Sequence, residues 1–193
     1  LPIIAITTTA GTGTEADPWT VITKPETAEK IGFGTEQTFP CVAIVDPELM
    51  LSLPPHLTAY QGFDALFHAM EGYIAQCATP LSDLYALEAI TLIAQYLPAA
   101  VADGQNLEAR TQLALANTLA GMVESASSCT SQHALEHALS GKHPDLPHGA
   151  GLIMLSASYF DFFADKLPER FLDMARALGA SEPTDPQGCL TRL

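Results

Sequence analysis

Thr58-Ala59-Tyr60-Gln61-Gly62-Phe63-Asp64-Ala65-Leu66-Phe67-His68-Ala69-Met70-Glu71-Gly72-Tyr73-Ile74-Ala75-Gln76 is the stretch on which the reading of this chain turns. Apolar residues recur at Phe63, Leu66, Phe67, Met70, Tyr73 and Ile74, the i, i+3, i+4 spacing of one helix face. Asp64 and His68 are four residues apart. On a helix they share a face about one turn apart, so a carboxylate and an imidazole address a common spot. Their neighbours are apolar, and an unpaired charge near a core is costly. The stretch predicts a buried helix carrying a polar pair.

The helical period continues toward the C-terminus. Pro80 precedes a second helix with Ser82 as its cap, running toward Asp103-Gly104 and bent at Pro98. Asn106 caps a third helix through about Val123. Further helices are expected at His133 to Leu139, Leu152 to Ala164 and Pro168 to Leu178, the last stopped by Gly179. Small polar residues from about Glu124 to Gln132 predict a loop or a close helix contact. Upstream the pattern differs. Ile3 to Thr8, Val21 to Thr23 and Cys41 to Val45 are short strand candidates, separated by Pro25, Gly32, Gly34 and Pro40. Asp46-Pro47 closes this part, since proline disfavours helix at the residue before it. The expected class is mainly α: an all-helical domain over residues 51–193, preceded by a fragment of an α/β domain over residues 1–50. The chain begins on an apolar strand without Met and ends in a Pro-rich run, so both ends are expected to be cut from something longer.

Composition narrows the partners. Of the 193 residues 48% are hydrophobic and 16% charged, which argues for a packed core rather than disorder. Asp and Glu number 22 against 8 Lys and Arg, a net charge of −14. Clustered cations that would displace counterions from nucleic acid, or bind an anionic membrane surface, are missing. Between Lys30 and Arg110 there is no Lys or Arg but there are nine Asp or Glu, a balance that bound cations or a solvated acidic face would explain. The longest useful uncharged run for a span, Ala89 to Ala102, contains Gln95 and Pro98 and falls short of the ~20 apolar residues of a membrane span. Cys41, Cys77, Cys129 and Cys189 form no C-x-x-C pair, so free thiols and the cytoplasm are the default.

The histidines fall in groups. After Asp64 and His68 come His133 and His137, again four apart, then His143 and His148. One functional reading is a divalent metal held by Asp64, His68 and two later histidines. Three imidazoles and a carboxylate suit Fe(II), Zn(II), Mn(II) or Co(II) rather than Ca or Mg. The plain alternative is a set of hydrogen-bonded helical histidines. The Thr7 to Thr14 loop, with Gly11 and Gly13, could cradle phosphate on backbone N–H groups or serve as an ordinary turn.

Taken together, Thr8-Thr9-Ala10-Gly11-Thr12-Gly13-Thr14-Glu15, Asp46-Pro47-Glu48-Leu49, Gly62-Phe63-Asp64-Ala65 with His68-Ala69-Met70-Glu71, and His133 through Leu146-Pro147-His148-Gly149 resemble the iron-containing (group III) alcohol dehydrogenase family, over its central and C-terminal portion. The resemblance implies a dehydroquinate synthase-like architecture, with a nucleotide-binding fragment ahead of a metal-binding helical domain. It implies Asp64, His68, His133 and His148 as ligands of Fe(II), with Zn(II) as the other choice. His137 would lie beside the nicotinamide as a proton-relay group. Thr8, Thr9, Gly11, Thr12, Gly13 and Lys30 would contact NAD or NADP, and the substrate would be a small alcohol or aldehyde. Family members are much longer and carry a glycine-rich pyrophosphate turn that this chain lacks. The isolated chain is therefore expected to be inactive, and its strand at Pro2 to Ile6 to lie uncovered, favouring a homodimer or larger assembly. Two other readings compete: a non-catalytic helical metal-binding module, and a metal-dependent hydrolase with Glu71 or Glu136 as base.

Overall fold

A computed structural model describes residues 2–182, 185 and 186; Cys189 and the last part of the 51–193 segment lie outside the described residues. Strand β1 (Ile4–Thr7) pairs in parallel with β4 (Val42–Val45), Ile4 opposite Val42 and Thr7 opposite Val45. Between them, β2 (Thr20–Lys24) and β3 (Glu29–Phe33) form an antiparallel hairpin. The sequence pattern does not predict β3, because Glu29, Lys30 and Gly32 dilute its apolar run. Tertiary pairing with β2 overrides that weak local preference. Ile4 and Ile6 on β1 are 61% and 55% exposed, so the expected uncovered apolar strand is present.

Six helices follow among the described residues: α1 (Pro55–Ile74), α2 (Pro80–Ala102), α3 (Leu107–Ala126), α4 (Ser131–Lys142), α5 (His148–Ala164) and α6 (Pro168–Ala177). α1 packs against α2, α3, α5 and α6, and its Phe67, Ala69 and Met70 are fully buried. The Phe67 ring stacks on Phe160 of α5 at 5.8 Å between centroids. Asn106 caps α3 as expected, its side chain accepting from Ala109 N–H at 3.0 Å.

Three local expectations change. Thr79, not Ser82, caps α2; Pro80 occupies the first helical position, where its missing N–H costs nothing, and Ser82 closes a capping box with Thr79. The run from Glu124 is helical as far as Ala126, leaving only residues 127–130 as a loop. Finally, α2 runs past Pro98 as expected, but over its 23 residues it is long and apolar enough to cross a membrane by composition, where the uncharged run alone falls short. It also contacts α1, α3 and α6 and buries Ile90, Ile93 and Leu97.

Two polar clamps fix the entry into this bundle. Arg110, 3% exposed, donates to the Gly104 and Leu53 carbonyls and the Thr58 hydroxyl, tying α3 to the start of α1. The Thr-Gly loop after β1 is fastened to α3. Glu15 accepts from Asn117 Nδ2 at 3.0 Å and from the Thr118 hydroxyl at 2.6 Å, while Asn117 Oδ1 accepts from Gly13 N–H at 3.0 Å. Gly13 has φ +63, and a Cβ on the facing Gly121 would lie 2.2 Å from the Gly13 carbonyl oxygen. Backbone touches backbone here. Gly121→Ala should therefore destabilise the chain by about 1–3 kcal/mol in urea unfolding. Gly32→Ala, with nothing nearer than 3.9 Å, is the control and should change little. Equal midpoints for the two variants would refute the tight contact.

Candidate metal centre

The donors come from the first turns of two helices and the middle of a third. α1 presents Asp64 and His68 one turn apart, α4 brings His133 from its first turn, and His148 is the first residue of α5. The first turn of α5 can lie against α1 because residue 149 is glycine: a Cβ there would meet the Tyr60 carbonyl oxygen at 2.2 Å. Asp64 Oδ1 is the focus. His133 Nε2 and His148 Nε2 each lie 3.4 Å from it, and His68 Nε2 lies at 3.8 Å. The His68 and His133 rings stack at 4.2 Å between centroids and 14° between planes. Asp64, His68 and His133 are buried, and His148 is partly so.

The far nitrogen of each imidazole is engaged by an acceptor. His68 Nδ1–H donates to the Gly11 carbonyl at 3.1 Å, and His133 Nδ1–H donates to Glu71 Oε1 at 2.6 Å. His148 Nδ1–H donates to Glu136 Oε2. These partners orient all three rings so that Nε2, the nitrogen that gives up any proton to an incoming ion, faces Asp64. Glu71 is wholly buried and does a second job at the N-terminus of α4. Its carboxylate accepts from Gln132 N–H at 3.1 Å, His133 N–H at 3.0 Å and the Thr130 hydroxyl at 2.6 Å. Glu136 also receives Lys30 Nζ at 3.3 Å, and Lys30 reaches Ser140 Oγ at 3.0 Å. Both glutamates that the competing hydrolase reading offers as bases thus orient imidazoles.

Electrostatics follow from this packing. Burial alone would raise the Asp64 pKa, but His68, His133 and His148 together hold it far below the usual carboxylate range. Burial likewise opposes charge on His148 and His133. Hydrogen bonds to Asp64 and Glu136 outweigh it at His148, while hydrogen bonds to Asp64 and Glu71 do so at His133; both pKa values are raised. His68 is pushed down to about 4 by burial despite Asp64. His137 goes down to about 4 through burial, Lys30 and His148, so its ring is neutral near pH 7.

A cavity of about 750 Å³ opens onto these groups. Asp64, His68, His133, His137, His148, Lys30 and Thr12 line it, together with Thr14 and Trp19. Thr8, Thr9, Gly11 and Gly13 are not on its wall; Gly11 contributes through its carbonyl and Gly13 through its bond to Asn117. His143 lies exposed at the end of α4, and Leu135 of the same helix is 52% exposed. Sequence reasoning missed Asp17, Glu124 and Cys129, which also line the cavity. No motif marks them: they fall among small polar residues and turns. Burial raises the Asp17 pKa to about 7 and, with Asp17 nearby, that of Glu124 to about 8.

Residues 58–192 match the model of the Fe-containing alcohol dehydrogenase family, C-terminal, and residues 1–47 match that of iron-containing alcohol dehydrogenase. The chain is 42% identical to a 1,3-propanediol dehydrogenase of Klebsiella pneumoniae, over 92% of this chain and 46% of that protein. An NAD-dependent methanol dehydrogenase of Bacillus methanolicus is 41% identical over 93% of this chain and 47% of its own length. The crystal structure of an archaeal halo-thermophilic Red Sea brine pool alcohol dehydrogenase superposes with a TM-score of 0.93 at 38% identity, covering 100% of this chain and 49% of that one. The chain spans about half the length of the curated relatives it matches. With one family model matching residues 58–192, the Asp64 helix included, and a second matching residues 1–47, the chain belongs to the iron-containing alcohol dehydrogenase family.

Proposed function

We propose that this chain carries the metal half of an NAD(P)-dependent alcohol dehydrogenase, with Asp64, His68, His133 and His148 holding one divalent ion. The observation that carries the reading is the convergence of three imidazole Nε2 atoms on Asp64 Oδ1 at 3.4–3.8 Å, with every Nδ1 already committed to an acceptor. Lone pairs facing a carboxylate repel unless a cation lies among them. That cation is either a metal ion or the extra protons favoured by the raised His133 and His148 pKa values. The donor set, three imidazoles and a carboxylate, suits Fe(II) or Zn(II). Iron is the choice of the family.

A divalent ion at this position supplies Lewis acidity that makes an alcohol hydroxyl more acidic or a carbonyl more electrophilic. The chain's own residues do the rest. Glu71, Glu136 and the Gly11 carbonyl keep the Nε2 atoms aimed inward, so no reorganisation is needed when substrate arrives. His137, neutral and on the cavity wall, is the group we assign to carry the hydroxyl proton outward on a ring nitrogen. Lys30, Thr12 and Thr14 line the same cavity and are assigned to the cofactor side; Thr8, Thr9, Gly11 and Gly13 would serve the cofactor by shaping that loop. The substrate class is a small alcohol or aldehyde and the hydride acceptor NAD or NADP, in a cytoplasmic assembly of two or more copies. Spanning less than half of its relatives, the chain alone is proposed to be inactive.

Two outcomes test this reading. The purified chain should bind close to one equivalent of Fe(II) or Zn(II) by elemental analysis, lost in both Asp64→Ala and His148→Ala. Full retention in both variants would refute the ligand set. The second concerns pH. Metal binding needs neutral imidazoles, and His133 and His148 have raised pKa values, so each must release its proton to the incoming ion. Affinity should fall as pH drops through neutrality, by up to about two decades per pH unit where both titrate. A pH-independent affinity between pH 5 and 8 would contradict it.

A further inference from the structure

The wall of the same cavity carries a thiol. Cys129 follows α3, and one donor atom each from His68, Cys129 and His133 lie within 4.8 Å of one another. Cys129 donates its S–H to Glu124 Oε1 at 3.2 Å, and Glu124 Oε2 lies 3.5 Å from His68 Nε2. Glu124 is buried, only 8% exposed. His68 and His133 have their Nδ1 atoms committed, so only the two Nε2 atoms can face Cys129, and these same atoms face Asp64.

We propose that the cavity contains two overlapping metal positions that share His68 and His133: a nitrogen–oxygen position completed by Asp64 and His148, and a thiolate position completed by Cys129 and Glu124. This inference rests on the metal reading given above. Because the two positions use the same Nε2 lone pairs, one ion excludes the other. Ligand softness decides which is filled. Thiolate favours soft ions, whereas carboxylate and imidazole suit harder ones. Cd(II) therefore takes the Cys129 side and Mn(II) the Asp64 side. On binding of the soft ion the Cys129 thiol gives its proton to solvent through the cavity mouth, and Sγ donates its freed electron pair to the ion; no electron transfer is involved. Thiophilic ions would then occupy the centre away from the place where Asp64 and His148 hold a metal.

The test uses the purified chain with Cys41, Cys77 and Cys189 replaced by serine, so that Cys129 is the sole thiol. Cd(II) titration should raise an ultraviolet thiolate-to-cadmium band at one equivalent. Cys129→Ser should abolish that band and weaken Cd(II) about tenfold or more, while Mn(II) affinity, read by the loss of its free-ion paramagnetic signal, should stay unchanged. Serine preserves a donor to Glu124, and the retained Mn(II) affinity shows that any loss is of a ligand rather than of folding. Bound Cd(II) without a thiolate band, or equal Cd(II) affinity in Cys129→Ser, would overturn this inference and leave the Asp64 position standing. Failure to bind either ion would overturn both.

Discussion

Three imidazole Nε2 atoms turned toward one carboxylate oxygen form an arrangement that a protein core does not tolerate without positive charge among them. Asp64 Oδ1 is the focus, and the surrounding structure serves to hold it there. α1 supplies Asp64 and His68 from its most buried turns, so their position is as rigid as the core itself. α4 and α5 deliver His133 and His148 from their first turns, where a helix has unsatisfied N–H groups and a partial positive end. Glu71 answers both needs at once, capping α4 and orienting His133.

The outer partners explain why the centre is asymmetric. Glu71 is sealed in the core, Glu136 shares its charge with Lys30, and His68 relies on a backbone carbonyl from the Thr-Gly loop. That last bond links the two halves of the chain. The loop is held by Glu15, Asn117 and the Gly13–Gly121 approach, so the strand segment positions one imidazole of the helical segment. Lys30 does likewise from β3, reaching across to Glu136 and Ser140 on α4. Neither end of the chain builds the centre unaided.

Much of this was legible in the sequence, for definite reasons. The apolar period around Phe63 to Ile74 identifies α1, and the four-residue spacing puts Asp64 and His68 on one face, because helix geometry is local. Asn106 is readable as a cap for the same reason. Strand β3 was not, because Lys30 and Gly32 give it little local preference and its partner lies across a turn. Ser82 misleads as a cap because the capping box uses it from the inside, at the third helical position. Cys129 and Glu124 are invisible to pattern reading: their closeness to His68 arises only from how α3 crosses α1. The partners of Glu71 and Glu136 are likewise tertiary facts, although both residues lie in the quoted motifs.

The most direct measurement is anomalous diffraction at the iron absorption edge from crystals of the Fe(II)-loaded chain. The account predicts a single strong peak within about 2.0–2.2 Å of Asp64 Oδ1 and of the Nε2 atoms of His68, His133 and His148. A peak coordinated elsewhere, or none in a chain whose four side chains keep the arrangement described, would contradict it.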